Sequence, residues 1–432
     1  MRVETLTQSA QATRPSEAPR MIPLWALSLF AGALWVAGAS FSSQDVNDYH
    51  CYALAFWRGA RATASLVDGS CLTPVSLFSS QPFHTVPLEY GPLALLTFLP
   101  PLLVPAAWYN TAFFIEMALV GMAIAWLLDG FGPRWAGHVW LIYGLIGSWI
   151  LVAGRFDAAP AACVVVALIA ARRGRLTWAW VALALGVLMK LYPLALLPLF
   201  LIVSWRARGR QPLWRGPAAF VAIVGAVEAL VALIAPGSLL TPFIYMSARC
   251  VQVESVAATF ASLWARVAGA EPAFPYAYNS TCEVTAAIGT TQMIALGLGV
   301  VGIALALALF WRGRISLGLA ALLTLAALLV GSKVLSPQYL IWISPLIALE
   351  FGADIAALVG WSLVGALTTA CFPYAYNGSL TDAFGLDPLT LIEWTAGARN
   401  LLALALSAVA YGRQLLPRAP RPPIEVEAGA TP

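Results

Sequence analysis

From Met21 onward the chain alternates long apolar runs with short polar or charged breaks. Runs bounded by charge or turn residues lie at 21–41, 106–128, 136–153, 158–171, 176–189, 191–204, 217–235, 291–310, 315–332, 338–349, 355–372 and 395–412. Each reads as a membrane-spanning helix. Several are shorter than the roughly 20 residues a perpendicular span requires, so they must borrow polar flanks or bend at prolines such as Pro160, Pro193 and Pro345. The expected fold is an all-α polytopic membrane protein of about twelve transmembrane helices. Residues 1–20 read as a disordered cytoplasmic N-terminus, 21–412 as one transmembrane domain and 413–432 as a disordered Pro-rich cytoplasmic tail. The run from Met21 is too long for a typical leader core and reads as a retained span.

Composition narrows the class. With 60% hydrophobic and 10% charged residues the chain lies far outside the soluble range. Its formal charge of +4 reflects arginines that flank spans and carries no nucleic-acid signal. His50, His84 and His138 lie far apart, and no Cys or His cluster has ligand spacing, so no metal site is expected.

Charge also orients the runs. With the N-terminus inside and spans alternating, 16 Lys and Arg fall on cytoplasmic segments and 8 on outer ones. That register holds only if the apolar stretch Pro92–Val104 does not cross, so it reads as re-entrant or interfacial within a first outer loop at 42–105. The chain is then a multi-pass protein of the plasma (inner) membrane. Asp45, Asp48, Asp68, Glu89, Asp157, Glu254, Glu271, Glu283, Asp382, Asp387 and Glu393 fall on the outer side, with both lysines, Lys190 and Lys333. Charge at an apolar boundary is costly unless paired or used, so this gathering reads as an active site on the outer face.

The sharpest candidates open the first loop. Asp45 and Asp48 precede an aromatic stripe at 49, 52, 53, 56 and 57, the spacing of one face of a helix lying in the membrane interface. Capping explains the acids as well as catalysis does: Asp45 as N-cap and Asp48 as its N3 partner. Lys190 and Lys333 either snorkel to water or hold an anionic headgroup. Arg249 and Glu254 form either a surface ion pair or, for the arginine, a bidentate grip on phosphate. Phe-Pro-Tyr-Ala-Tyr-Asn occurs at 274–279 and again at 372–377, as interfacial tyrosines or as a sugar-stacking platform. Cys51 with Cys71 and Cys250 with Cys282 are the sequence-local disulfide pairs.

These motifs together resemble glycosyltransferase family 87, polytopic GT-C type enzymes that use polyprenyl-phosphate sugars, usually mannose. Asp45 to Tyr49 resembles the family's Asp with Tyr four residues on, and Glu89-Tyr90-Gly91-Pro92-Leu93 its Glu-Tyr-Pro-Pro-Leu. Phe156-Asp157, Lys190-Leu191-Tyr192-Pro193 and Ser336-Pro337-Gln338-Tyr339 follow in family order. The resemblance puts the general base at Asp45, with Asp48 alternative or supporting. Arg249, Lys333 and Lys190 are then donor-phosphate ligands, and Tyr49, Glu89, Tyr90, Asp157, Glu254, Gln338 and Tyr339 substrate-binding residues. Gly91 stands where the family has proline, which is expected to loosen the approach to the Pro92–Val104 segment.

The reaction so implied is an inverting transfer of a sugar from a polyprenyl-phosphate donor to a lipid-linked or cell-envelope glycan acceptor. No cofactor is required; two acids three residues apart leave Mg²⁺ or Mn²⁺ open without calling for it. A lipid-sugar flippase or transporter is the rival, and a non-catalytic scaffold a third. Transporters tend to carry charge near the bilayer midplane and related halves, whereas charge here falls mostly at one surface.

Overall fold

The computed structural model describes residues 22–41, 44–59, 62–63, 66, 87, 89–147, 149–207, 214–235, 239–278 and 280–415. The first half carries α1 (Leu24–Ala37), α2 (Gln44–Arg58), α3 (Ala94–Thr97), α4 (Tyr109–Phe131), α5 (Ala136–Ile146), α6 (Trp149–Gly154), α7 (Ala158–Arg172), α8 (Leu176–Met189) and α9 (Leu197–Arg206). The second carries α10 (Arg215–Ile234), α11 (Thr241–Ala248), α12 (Val256–Val267), α13 (Ile288–Trp311), α14 (Leu317–Gly331), α15 (Leu340–Phe351), α16 (Ile355–Thr369), α17 (Thr381–Phe384) and α18 (Pro388–Leu415). Between α12 and α13 a small hairpin pairs β1 (Tyr276–Ala277) with β2 (Ser280–Thr281). The expected N-terminal segment 1–20 and most of the tail lie outside the described residues, and α18 runs on to Leu415.

Every apolar run lands on helix. The run at 136–153 divides into α5 and α6, and that at 191–204 begins as a 3-10 turn, Tyr192–Leu196, before α9. Among the described residues four helices are long and apolar enough to cross a membrane: Ala106–Phe131, Arg215–Ile234, Ile288–Trp311 and Ile355–Ala375. A fifth joins them if α1 and α2, bent by 81°, count as one broken span. The chain is an all-α membrane protein. Its other apolar helices are shorter than a full span, so helix length supports four or five crossings and not the full twelve.

Small residues let the helices close up. Trp35 of α1 is fully buried against Gly121 of α4 and Gly144 of α5, where an added Cβ would come within 2.7 and 2.8 Å of its ring. The indole donates to the Gly144 carbonyl at 3.3 Å, and Trp140 donates to that of Gly121 at 2.8 Å. With no water to drive association between helices, such close packing and indole hydrogen bonds hold them. Peripheral α10 leaves Val221, Leu230 and Leu233 exposed, a face suited to hydrocarbon.

Two readings of the first loop change. The stripe on α2 does not rest on lipid: Tyr49, Tyr52 and Ala53 are buried within the protein, with Tyr49 stacked 4.5 Å from Phe98. Within the stripe only Trp57 is exposed. The Pro92–Val104 stretch forms α3 and a 3-10 turn, Pro100–Leu103, far too short to cross. Gly91 tightens the approach to it. Its amide donates to the Met189 carbonyl at 3.1 Å, that of Leu93 to the Leu188 carbonyl at 3.0 Å, and a Cβ on Gly91 would sit 2.1 Å from the Leu188 oxygen.

The hydrophobic pattern at 236–290 had suggested no element, yet α11 and α12 lie there. On α12 the buried positions are mostly small, while Phe260, Leu263, Trp264 and Val267 form an exposed apolar stripe.

Gly91→Ala should force the segment away from the end of α8 and cost about 1–3 kcal/mol, the usual penalty of overpacking. Thermal unfolding of the purified protein measures it, and an unchanged midpoint would show that the two backbones do not meet.

Candidate functional site

The site grows from the turn between α6 and α7, Gly154-Arg155-Phe156-Asp157. A polar turn between two apolar helices has to neutralise whatever charge it carries. Asp157, 1% exposed, accepts from the Lys190 ammonium at 2.7 Å and from the Trp342 indole at 2.6 Å, both on Oδ1. Its Oδ2 has no partner. Lys190 ends α8, held beside Tyr90 by the Gly91 and Leu93 hydrogen bonds, and its ammonium lies 5.0–5.5 Å from the ring centres of Tyr90, Phe156, Tyr339 and Trp342. It is a caged cation.

Arg155 points the other way and forms an ion pair with Asp45 in the first turn of α2. Asp45 keeps 25% of its side chain exposed, whereas Asp157 keeps 1%. The helix begins at Gln44, so Asp45 sits inside the first turn instead of capping it. Asp48, half-buried, lies within electrostatic range of Tyr52 and Tyr276.

Around this core further candidates gather. Tyr339 is buried within electrostatic range of Arg249, Asp157, Glu89 and Arg155. The Tyr245 hydroxyl lies between Glu89 and the Tyr278 carbonyl, and Tyr49 meets Tyr90 through their hydroxyls. Arg249 stacks 5.5 Å from the Tyr245 ring and leaves its buried Nε without a partner. Gln338 is half-buried beside them.

Two candidates hold the frame instead. Lys333 donates to the Ser247 and Arg249 carbonyls at 3.0 and 3.5 Å, so its charge pins the end of α11. Glu254 does not pair with Arg249 at the surface. It is 1% exposed and bound by Arg399 at 3.2 Å and by the Tyr376 hydroxyl at 2.8 Å, while Arg399 also donates to the Glu254 carbonyl at 2.7 Å. Burial pushes the Glu254 carboxyl up against the opposing pull of Arg399. This buried net ties the α11–α12 loop to α18.

The repeated hexapeptide serves two unlike ends. The first copy forms the hairpin with Tyr276 exposed; the second turns through a kink and lays Tyr376 on Glu254. Cys250 and Cys282 are disulfide-bonded, strapping the hairpin to the α11–α12 loop. Cys51 is also disulfide-bonded, and Cys71 lies outside the described residues.

Arg155, Trp342, Tyr245 and Arg399 carried no role in the sequence reading. Only Arg155 had a usable signal, a lone cation two residues before an acid where two apolar runs meet. The other three meet their partners across long sequence separations that no local spacing reveals. Among the described residues no three metal-ligating side chains converge. No family model matches the chain, and a search of curated proteins finds no match.

Two predictions follow from the buried charges. Asp157→Asn strands the Lys190 cation and should cost about 3–5 kcal/mol, as breaking a buried pair does. The double variant Asp157→Asn, Lys190→Met should recover most of that in thermal unfolding. Glu283, 3% exposed, has its carboxyl pushed up to about 8 by burial, with a hydrogen bond from Ser262 opposing the rise and the Glu393 carboxylate adding to it. A folded-state pKa above the unfolded value favours the folded protein at low pH, and that contribution is lost as pH climbs from about 4.5 through about 8. Glu283→Gln should therefore flatten the pH dependence of the melting temperature, raising it relative to wild type above pH 8.

Proposed function

We propose that the chain is a membrane glycosyltransferase that moves a sugar, mannose by the family resemblance, from a polyprenyl-phosphate donor to a hydroxyl of a lipid-linked or cell-envelope glycan acceptor. The observation that carries this reading is the contrast among carboxylates. Asp157 and Glu254 are sealed within protein, while Asp45, paired with Arg155 in the same charged cluster, remains open to a reagent.

In this reading Asp45 takes the proton from the acceptor hydroxyl as its oxygen attacks the anomeric carbon, opposite the departing polyprenyl phosphate. The C–O bond to phosphate breaks with its electron pair on the phosphate, a weak base that needs no strong acid. It needs positive charge in a site that excludes water. Arg249, with its unpartnered buried Nε, supplies that charge, and Arg155, whose buried Nε is also unpartnered, adds to it. Lys190, neutralised by Asp157, serves to hold the frame and the field. Tyr49, Tyr90, Tyr339, Glu89 and Gln338 line the surroundings in which the sugar would sit.

Placement at the outer face of the plasma membrane rests on the arginine bias. It is supported by ion pairs that join groups the register assigns to one side, as at Arg155–Asp45, Lys190–Asp157, Arg266–Glu393 and Arg399–Glu254 on the outer side and Arg172–Glu350 on the inner. Full spanning by twelve segments belongs to the same proposal.

Asp45→Asn should lower sugar transfer from polyprenyl-phosphate mannose by about 10²- to 10⁴-fold, the size of a lost general base, with the protein still inserted and monodisperse. Asp48→Asn should cost much less. Wild-type turnover by Asp45→Asn would remove the base from Asp45, and movement of labelled lipid-linked sugar with no glycosidic product would replace this reading with the transporter.

A further inference from the structure

The face of α2 opposite Asp45 carries a second feature. Residues 50, 54 and 58 lie a half-turn of the helix away from 45, 49 and 52. There a groove of about 340 Å³ opens between α2 and the Pro100–Ala106 stretch, with His50, Leu54, Arg58, Leu102, Val104 and Ala106 among its lining. No acid lines it. The Arg58 guanidinium donates one hydrogen bond, to the Leu102 carbonyl at 3.0 Å, and pairs with no carboxylate among the described residues. His50, 6% exposed, stacks 3.9 Å from Tyr109, and neither of its ring nitrogens has a hydrogen-bond partner among the described residues. Tyr109 is itself fixed through its hydroxyl on the Phe98 carbonyl at 3.0 Å. The rim is apolar and open: Leu103 is 85% exposed and Trp108 62%.

An unpaired arginine at the mouth of an apolar trough is complementary to an amphiphile with an anionic head. We infer that the groove binds the phosphate of an anionic membrane phospholipid. Arg58 meets the phosphate with the donors that Leu102 leaves unused, and His50 hydrogen-bonds a headgroup oxygen. The acyl chains lie over Leu54, Leu102, Val104 and Ala106 and past the exposed rim. A free phosphate would find one arginine and apolar walls that give it nothing, whereas a lipid buries both. The site lies on the other face of α2 from the proposed base and does not depend on the reaction assigned there.

The test is native mass spectrometry of the full chain released from phosphatidylcholine nanodiscs doped with phosphatidylglycerol. Wild type should retain phosphatidylglycerol in preference to phosphatidylcholine. Arg58→Gln should retain at least about fivefold less, the loss of one charge-assisted contact. Ala106→Trp, which fills the trough from an exposed position, should also exclude it. Arg134→Gln, an exposed arginine elsewhere, should match wild type. Asp45→Asn should also match it, whichever way sugar transfer comes out. Equal retention by wild type and Arg58→Gln, an equal fall in Arg134→Gln, or occupancy by inorganic phosphate that excludes the lipid would each overturn the proposal.

Discussion

Lys190 sets the constraint that the rest of the site obeys. Its ammonium is nearly buried among four aromatic rings, and taking an ion out of water costs several kcal/mol even after relaxation. Aromatic faces return about 0.5–2 kcal/mol each way of counting, so the cage alone does not hold the charge. Asp157 has to be there. That carboxylate, equally buried, needs a second donor and finds it in Trp342. One pair therefore locks the α6–α7 turn, the end of α8 and the start of α15 into a single unit. Because Arg155 stands two residues before Asp157 on that turn, locking Asp157 inward places Arg155 toward α2, where Asp45 neutralises it.

Backbone approach makes this compact enough to work. Gly91 brings the 89–93 stretch into hydrogen-bonding contact with the end of α8, which delivers Tyr90 onto the Lys190 cage and Glu89 toward Tyr245. A second buried net, Glu254 with Arg399, Tyr376 and Asn400, does the same for the α11–α12 loop and α18. These nets carry little stability of their own relative to an apolar core, but each fixes one arrangement of chain segments that are far apart in sequence. The disulfide and Lys333 then hold the loop that carries Arg249.

Much of the frame was legible in the sequence, because a membrane makes apolar runs and charge placement strict signals. Every run fell on helix, and Asp45, Glu89, Asp157, Lys190 and Arg249, remote in sequence, share one neighbourhood. What stayed hidden had a different physical origin. Helix breaks at Gly147 and Pro193 depend on packing, so run length did not reveal which runs form helices long enough to cross alone. The stripe on α2 had the spacing of a lipid-facing helix, but Phe98, Phe113 and Phe156, remote in sequence, cover it. Glycine at 91 looked permissive by type and acts as a clamp, a role that depends on a carbonyl nearly a hundred residues away. Identical hexapeptides at 274 and 372 took different structures, since tertiary partners outweigh six residues of local preference.

The same contrast separates support from chemistry within the charged cluster. An ion pair that excludes water on both sides, as Asp157 with Lys190 or Glu254 with Arg399, can be broken only at a cost of several kcal/mol and offers no route for a reagent. Its job is to hold its neighbours. Asp45 with Arg155 is the exception, since a quarter of the carboxylate is open and its partner is tethered from behind by the turn that Asp157 locks. Within this cluster Asp157 and Glu254 are enclosed by the network that positions Asp45, while Asp45, like the half-buried Asp48 and Glu89, keeps part of its side chain open. The proposal of a base at Asp45 therefore rests on its place beside Arg155 and not on openness alone.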